Sequence, residues 1–220
     1  MILFNQLFII KQIQLTKFKK YSKYINGRVV DVGCGIKPYK RFVKFREYIG
    51  IDETESLNPD IVCKVESIPI ADNSVDSAIC TEVLEHLKEP DKCLKDIFRI
   101  LKSGGYLYLT VPQTWGLHYE PNDYWRFTNY GVKYLCENAG FKIIRIDRIG
   151  GIFSIIGARL SDILWTKIKE LLFFIPEKMS EKISSIFILP VNILFYIMSN
   201  MFDNIDKRDA IGWLILCQKK

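Results

Sequence analysis

Apolar positions recur at roughly helical spacing from residue 2 to residue 24, and the stretch ends in the basic run Lys17–Lys23. That pattern predicts an amphipathic leading helix. Beyond it the period changes. Short apolar runs at Arg28–Val32, Tyr48–Ile51, Ile61–Val65, Val75–Cys80, Tyr106–Val111, Lys142–Ile146 and Trp213–Cys217 have the length and composition of buried strands. Helical patterns lie between them, notably over 89–101 and 129–139. The second is stopped by Asn138-Ala139-Gly140, where the glycine can take a left-handed cap. Strands alternating with helices predict an α/β fold, a doubly wound, Rossmann-like and mostly parallel sheet of seven strands.

Residues 150–206 break this rhythm. They are rich in Ile, Leu and Phe, are interrupted by Pro176 and Pro190, and carry no charge over the 20 positions from Ile183 to Phe202. That is the length a membrane span needs. A single crossing, however, would leave the strand at Trp213–Cys217 on the wrong side of the bilayer. A return crossing through 152–175 would carry Arg159, Asp162, Lys167, Lys169 and Glu170. The expectation is a non-spanning helical insertion, kinked at Pro190. It would pack over an acceptor site as a lid, form a dimer contact, or dip into one leaflet.

Charge adds one feature. The net charge is +6, and residues 1–47 hold eleven Lys or Arg against only Asp31 and Glu47. Such a basic end is either a solvated face or a surface drawn to anionic lipid or a phosphorylated substrate. Because so much of the chain outside the strands is apolar rather than basic, nucleic acid is not the expected partner. The six cysteines form no CxxC pair and have no histidine at zinc spacing, so buried thiols in a reducing cytoplasm are expected. The first ten residues lack the pattern of a signal peptide.

Candidate chemistry begins at Val29-Val30-Asp31-Val32-Gly33-Cys34-Gly35, a buried strand running into a glycine turn that lets backbone approach a ligand. Pro38 stands where a dinucleotide-binding turn has its third glycine, which disfavours a nicotinamide site. Asp52 ends the next strand, where an acid can accept both hydroxyls of a ribose. These pieces are followed by Ser67–Asp76, Glu82-Val83-Leu84-Glu85-His86-Leu87 and Arg99-Ile100-Leu101-Lys102-Ser103-Gly104-Gly105. In this order and spacing the chain resembles class I methyltransferases dependent on S-adenosylmethionine (SAM), of the Methyltransf_11 type, over about residues 26–150 plus the last strand.

The resemblance implies SAM as cofactor and three segments. These are a basic leading helix over 1–25, a SAM-binding domain over 26–150 and 207–220, and the apolar insertion over 151–206. It implies that Gly33, Cys34 and Gly35 pass under the methionine part of SAM and that Asp31 helps to hold its ammonium. Asp52 would take the ribose, Val65 and Glu66 would edge the adenine, and Thr81 and Glu82 would close the pocket. Two departures stand out. Lys64 occupies a position where the family often has an Asp facing the adenine amine, and Gly35–Tyr48 is short for the first crossover helix.

Methyl transfer asks the protein for alignment and, with an oxygen acceptor, for a base. His118 lies in the loop after the fifth strand with Asp123, Tyr124, Trp125 and Arg126. That loop is either a packed aromatic segment or an acceptor site. In the second case His118 or Asp123 is the base, Tyr124 and Trp125 stack on a ring, and Arg126 meets an anionic group. The run from His118 to Thr128 resembles, more loosely, methyltransferases of surface-polysaccharide biosynthesis. This implies a sugar acceptor in a glycan or its lipid-linked precursor, with the enzyme in the cytoplasm, peripheral on the inner face of the membrane. If Glu82, Glu85 and His86 lie on one helical face they offer a divalent-metal site, with His118 as a further ligand; packing at a helix N-terminus is the plainer role. That pattern is similar to metal-dependent O-methyltransferases, and it keeps open a prenylated quinone-like phenol as acceptor. A SAM-binding but catalytically silent partner subunit is the remaining alternative.

Overall fold

The computed structural model describes residues 5–220. The chain divides into two compact units. One holds Lys17–Asp147 with Gly212–Lys220; the other holds Arg148–Ile211 with the described residues up to Thr16.

The first unit carries the sheet. Its strands are β1 (Asn26–Val32), β2 (Lys44–Asp52), β3 (Ile61–Val62), β4 (Val75–Thr81), β5 (Leu101–Pro112), β6 (Phe141–Ile149) and β7 (Gly212–Lys219). Seven strands lie in the order β3-β2-β1-β4-β5-β7-β6. Pairings β3–β2–β1–β4–β5 are parallel, and β7 runs antiparallel to β5. The predicted α/β architecture is therefore the observed one. Leu107, Tyr108 and Leu109 follow one another along β5 and are all fully buried. Neighbouring side chains point to opposite faces, so both faces of the sheet are covered. Strands covered in this way read as continuous apolar runs.

Helix α2 (Pro90–Ile100) starts on a proline, whose missing N–H costs nothing in a first turn, and buries Cys93, Leu94, Ile97 and Ile100 along one stripe. Helix α3 (Asn129–Asn138) is capped by Thr128, whose hydroxyl accepts from the Gly131 amide at 3.0 Å. No α-helix forms between β1 and β2, only a single turn at Lys40–Phe42. Helix α1 (Phe8–Tyr21) supplies cover there from its C-terminal end: Phe18 is fully buried, stacks on Tyr39 with ring centres 4.3 Å apart and meets Tyr108 edge-on. Tyr21 donates to Asp147 at 2.5 Å, beside Lys17, Lys20 and Arg145. Burial alone would raise the Asp147 carboxyl, but these partners hold it well below the usual carboxylate range. The leading helix, expected to span 2–24, is shorter, with residues 2–4 outside the described part. It does not stand alone, being shared between the two units.

The second unit is the expected helical insertion before the last strand, built as a hairpin of two helices. Helix α4 (Ile152–Leu171) and helix α5 (Glu177–Phe202) run antiparallel, as shown by contacts of Ser161 with Asn192 and of Lys169 with Glu177. Its open end is clasped by Asp203, which accepts from the amides of Gly151 and Phe153 at 2.9 Å each. The amide and hydroxyl of Ser154 donate to the same carboxylate. These are unpaired donors at the start of α4, satisfied by a carboxylate as at any capped helix N-terminus. Helix α5 passes through Pro190 as one element.

Candidate functional site

Strand β1 lies between β2 and β4, so chain connections leave it in opposite directions. The crevice beyond the carboxyl ends of β1 and β4 is where doubly wound sheets bind ligands. The chain turns there through Gly33 (φ +66°) and Gly35 (φ +47°). A Cβ on Gly33 would come within 2.3 Å of Val83, so this glycine allows the turn to nest against the loop after β4. A Cβ on Gly35 would meet nothing within 4 Å, leaving open space where the backbone can be approached.

Asp52 joins the turn to the end of β2. Its two carboxylate oxygens accept from the amides of Gly35 (3.0 Å) and Thr54 (2.9 Å), one each. Each oxygen keeps a free lone-pair direction, and the carboxylate cannot rotate away. Asp52, Gly33, Lys64, Val65, Glu66 and Glu82 line one cavity of about 510 Å³, a volume within the range of small-molecule sites. An acid fixed at its rim and a glycine floor fit a nucleoside with a free ribose, as SAM requires.

Four residues expected near the cofactor lie off that lining, and of these Gly35 is joined to it by its amide bond to Asp52. Asp31 is buried behind the turn and accepts from the Tyr48 hydroxyl at 2.5 Å. Burial raises it to about 7, against the pull of that hydrogen bond. Cys34 is buried too, its thiol pushed up to about 12 by burial, and Thr81 ends β4 beside Thr110 of β5. The cavity also takes in Thr54, Leu57, Lys88, Tyr119 and Asn122, which no sequence motif singled out. They come from loops, where composition carries little positional information.

The loop after β5 folds over the same end of the sheet and is held by its own charges. Asp123 accepts a two-pronged bond from Arg126 at 2.6 and 2.8 Å, and the amide of His118 at 2.9 Å. Arg126 holds this carboxyl well below the ordinary carboxylate range. Arg126 spends its remaining donors on the carbonyls of Trp115, Gly116 and Trp125. The pair is the frame of the loop; the guanidinium expected to meet an anionic acceptor is used internally. Tyr124 lines the cavity and donates to Asn122, and the half-exposed Trp125 donates its indole N–H to the carbonyl of Leu87.

The segment read as a metal-binding helix is not one. Glu82 sits at φ +54°, and only Leu84–His86 make a single tight turn. Glu82 points instead toward Thr110, and burial raises its carboxyl. The groups that do converge are Glu85, His86 and His118, with one ligand atom from each lying within 4.8 Å of the others. Glu85 is completely buried and neither carboxylate oxygen has a hydrogen-bond partner. Burial, reinforced by Glu82, drives its carboxyl well above the usual range. His86 lines the cavity, pairs edge-on with His118 at 4.8 Å, and places Nδ1 2.7 Å from the Asn122 carbonyl. Burial lowers its pKa, favouring the neutral ring. His118 Nδ1 lies 3.1 Å from the Gly116 carbonyl. A neutral ring donating from Nδ1 leaves Nε2 free to accept a proton or a metal.

Residues 30–109 match the family model of a methyltransferase domain. Among relatives, an uncharacterized protein of Methanocaldococcus jannaschii is 31% identical over 110 residues, 47% of this chain and 48% of that one. An uncharacterized methyltransferase of Schizosaccharomyces pombe is 29% identical over 117 residues, 42% of each chain. The match thus spans less than half the length of either relative. Among solved structures, a SAM-dependent methyltransferase from Archaeoglobus fulgidus superposes with a TM-score of 0.59 at 14% identity, covering 94% of both chains, which shows a shared fold. From Val30 to Leu109, then, the chain resembles a methyltransferase domain, and it shares its fold with a SAM-dependent methyltransferase.

Proposed function

We propose that the chain transfers the methyl group of SAM to an oxygen of a small acceptor, a sugar unit of a surface glycan or of its lipid-linked precursor. The observation that supports this reading most is the meeting of two loops at one crevice. Asp52 and Gly33 line it from one side, and His86 and Tyr124 line it from the other, with the His118 ring edge-on against His86 at 4.8 Å. When bound, SAM supplies a methyl group already activated by its sulfonium. Asp52 would accept the ribose hydroxyls, and Val65 and Glu66 would border the base. His118, steadied by Gly116 and by the Asp123–Arg126 frame, would take the acceptor's hydroxyl proton at Nε2 as the new C–O bond forms and the C–S bond breaks. Tyr124 and Trp125 offer ring faces on which a sugar can lie.

Calorimetry with SAM tests the cofactor half. Asp52→Ala removes a charged acceptor worth about 1.5–3 kcal/mol, so affinity should fall roughly ten- to a hundredfold. Unchanged affinity would remove Asp52 from the site. His118→Gln should leave SAM affinity intact while turnover drops by roughly a hundredfold, the scale of a lost general base.

A second reading has its own observation: the unpartnered carboxylate of Glu85 beside two histidines is the donor set of a divalent cation. In that reading Glu85, His86 and His118 hold a metal that binds the acceptor oxygen, which also suits a quinone-like phenol. Added Mn²⁺ should then raise the melting temperature of the wild type but not of Glu85→Gln. Equal shifts in both proteins, or none, would reject it.

A further inference from the structure

The α4–α5 hairpin is built inside out. The surfaces its helices bury are small and polar: Ser154, Gly157, Ala158 and Ser161 on α4, with Ser180, Ser184, Asn192 and Ser199 on α5. Ile188 is the one large apolar side chain among the buried positions of these two helices. Ser161 donates to Asn192 across the seam at 2.8 Å, and a Cβ on Gly157 would strike Phe195 at 2.3 Å. The large apolar side chains face outward instead: Ile156, Leu160 and Ile163 on α4, and Phe187, Leu194 and Ile197 on α5 are all exposed. Of the most apolar window of α5, only 17% is buried. A helix pair folding in water does the reverse, turning an apolar stripe to its partner and polar groups to solvent. Small residues at the helix contact, hydrogen bonds across it and an apolar exterior are what hydrocarbon solvent selects.

The pattern along the hairpin has the dimensions of a bilayer. The uncharged stretch Ile183–Phe202 is 20 residues, about 30 Å of helix at about 1.5 Å per residue, close to the thickness of a hydrocarbon core. Charge gathers at its two ends. Lys167, Lys169, Glu177, Lys178 and Lys182 lie around the turn, and Arg148 and Asp203 lie at the open end. Apolar surface between two polar ends is the layering of a membrane rather than the outline of a patch on a partner protein. Inside this zone α4 carries Arg159 and Asp162, which lie one turn apart and pair at 3.7 Å, so the charges enter as a neutralising couple. Both ends of the hairpin continue into neighbouring strands of one sheet, β6 before it and β7 after it. A hairpin that enters and returns keeps those strands on the same side, which removes the objection that a single crossing raised.

We propose that the α4–α5 hairpin is a membrane anchor, inserted into the hydrocarbon region of a lipid bilayer. This goes beyond peripheral contact and does not depend on the methyl acceptor. The test is flotation of the full chain with phosphatidylcholine vesicles, with and without phosphatidylserine, at low and at high salt. An inserted hairpin floats with both vesicle types and stays bound in high salt, because apolar burial is not screened. The double substitution Leu194→Asp with Ile197→Asp, both on the exposed face, should abolish flotation; Leu194→Ala should preserve it. SAM binding by the aspartate variant shows that the sheet unit is folded, so loss of flotation is read on the hairpin alone. The proposal is overturned by wild-type protein that remains unfloated in detergent-free buffer, or that leaves the vesicles in high salt. A soluble dimer, seen by light scattering and indifferent to vesicles, would equally overturn it.

Discussion

The sheet unit and the hairpin unit bury opposite materials. Around β1, β4 and β5 the interior is dominated by Val, Ile, Leu and Tyr, and apart from Asp31 and Glu85 most charged groups are paired off at the margins. There Arg99 binds Asp72 and Asp96, and Asp76 takes the Arg28 amide and Lys102. Between α4 and α5 the interior is Ser, Gly, Ala and Asn, and the large side chains are outside. One unit gains its stability by taking apolar area from water. The other has little such area to take, and holds its helices by close backbone approach and by hydrogen bonds. Apolarity along a chain thus does not by itself say which surface is core; the position of the polar groups does.

The largest test of this contrast is a matched pair of truncations. Leu109→Ala hollows a fully buried position in β5 and should cost about 2–5 kcal/mol of stability. Ile197→Ala removes a side chain of similar size from the exposed face of α5 and should change stability by no more than about 0.5 kcal/mol. Thermal or chemical unfolding in detergent micelles compares the two directly. A large loss from Ile197→Ala would mean that the outward face of the hairpin is part of a core.

The strands were legible because burial on both faces writes them as unbroken apolar runs, and their observed spans extend the predicted ones by a few residues. The exception is β3, where only Ile61 and Val62 pair with β2 and the chain turns away before Val65. A helical insertion over this stretch was legible, but its pairing into a hairpin was not. Its seam is written in serines, which in an aqueous protein mark surface or loop, so 150–206 read as one apolar insertion rather than two packed helices. At the site, the glycine turn and Asp52 are local in sequence and were singled out by the strand-turn pattern together with the family resemblance; the structure brings Gly33 and Asp52 onto one cavity. The His86–His118 pair was only partly seen: its members are 32 positions apart, and Glu82 was grouped with them on a helix that a positive φ prevents. Nor does a sequence show that the donors of Arg126 are spent within its own loop.

A pH experiment sharpens the comparison on the sheet side, where an ionisable group is buried with little compensation. Asp31 is raised to about 7 by burial, far above its ordinary value near 3.8. The folded state therefore holds a proton that the unfolded chain releases between about pH 4 and pH 7, and stability should decline as pH rises through that window. At about 1.4 kcal/mol per pH unit the upper limit is about 4 kcal/mol. Asp31→Asn, which can still accept from Tyr48, should flatten this part of the profile and gain most stability above pH 7. Glu82 and Glu85 are raised in the same direction and leave a residual slope. A decline between pH 4 and pH 7 that Asp31→Asn leaves unchanged, or no decline at all, would show that Asp31 is not raised.

The smallest effect expected concerns the seam itself. Ser161→Ala removes the hydroxyl that donates to Asn192, and a single hydrogen bond of this kind contributes about 1 kcal/mol. In the hairpin Asn192 would lose the bond it accepts from Ser161 at a fully buried position, so the loss should be felt locally. Hydrogen exchange of the α4 and α5 amides in detergent should quicken by roughly fivefold, the ratio corresponding to about 1 kcal/mol, while exchange in β4 and β5 stays unchanged. Ser161→Leu is the sharper companion. It enlarges the apolar content of the seam but cannot fit between backbones that approach as closely as Gly157 and Phe195 require, so it should destabilise the hairpin by about 1–3 kcal/mol. If Ser161→Leu instead stabilises the pair of helices, apolar burial rather than close polar packing holds them, and the contrast between the two units is lost.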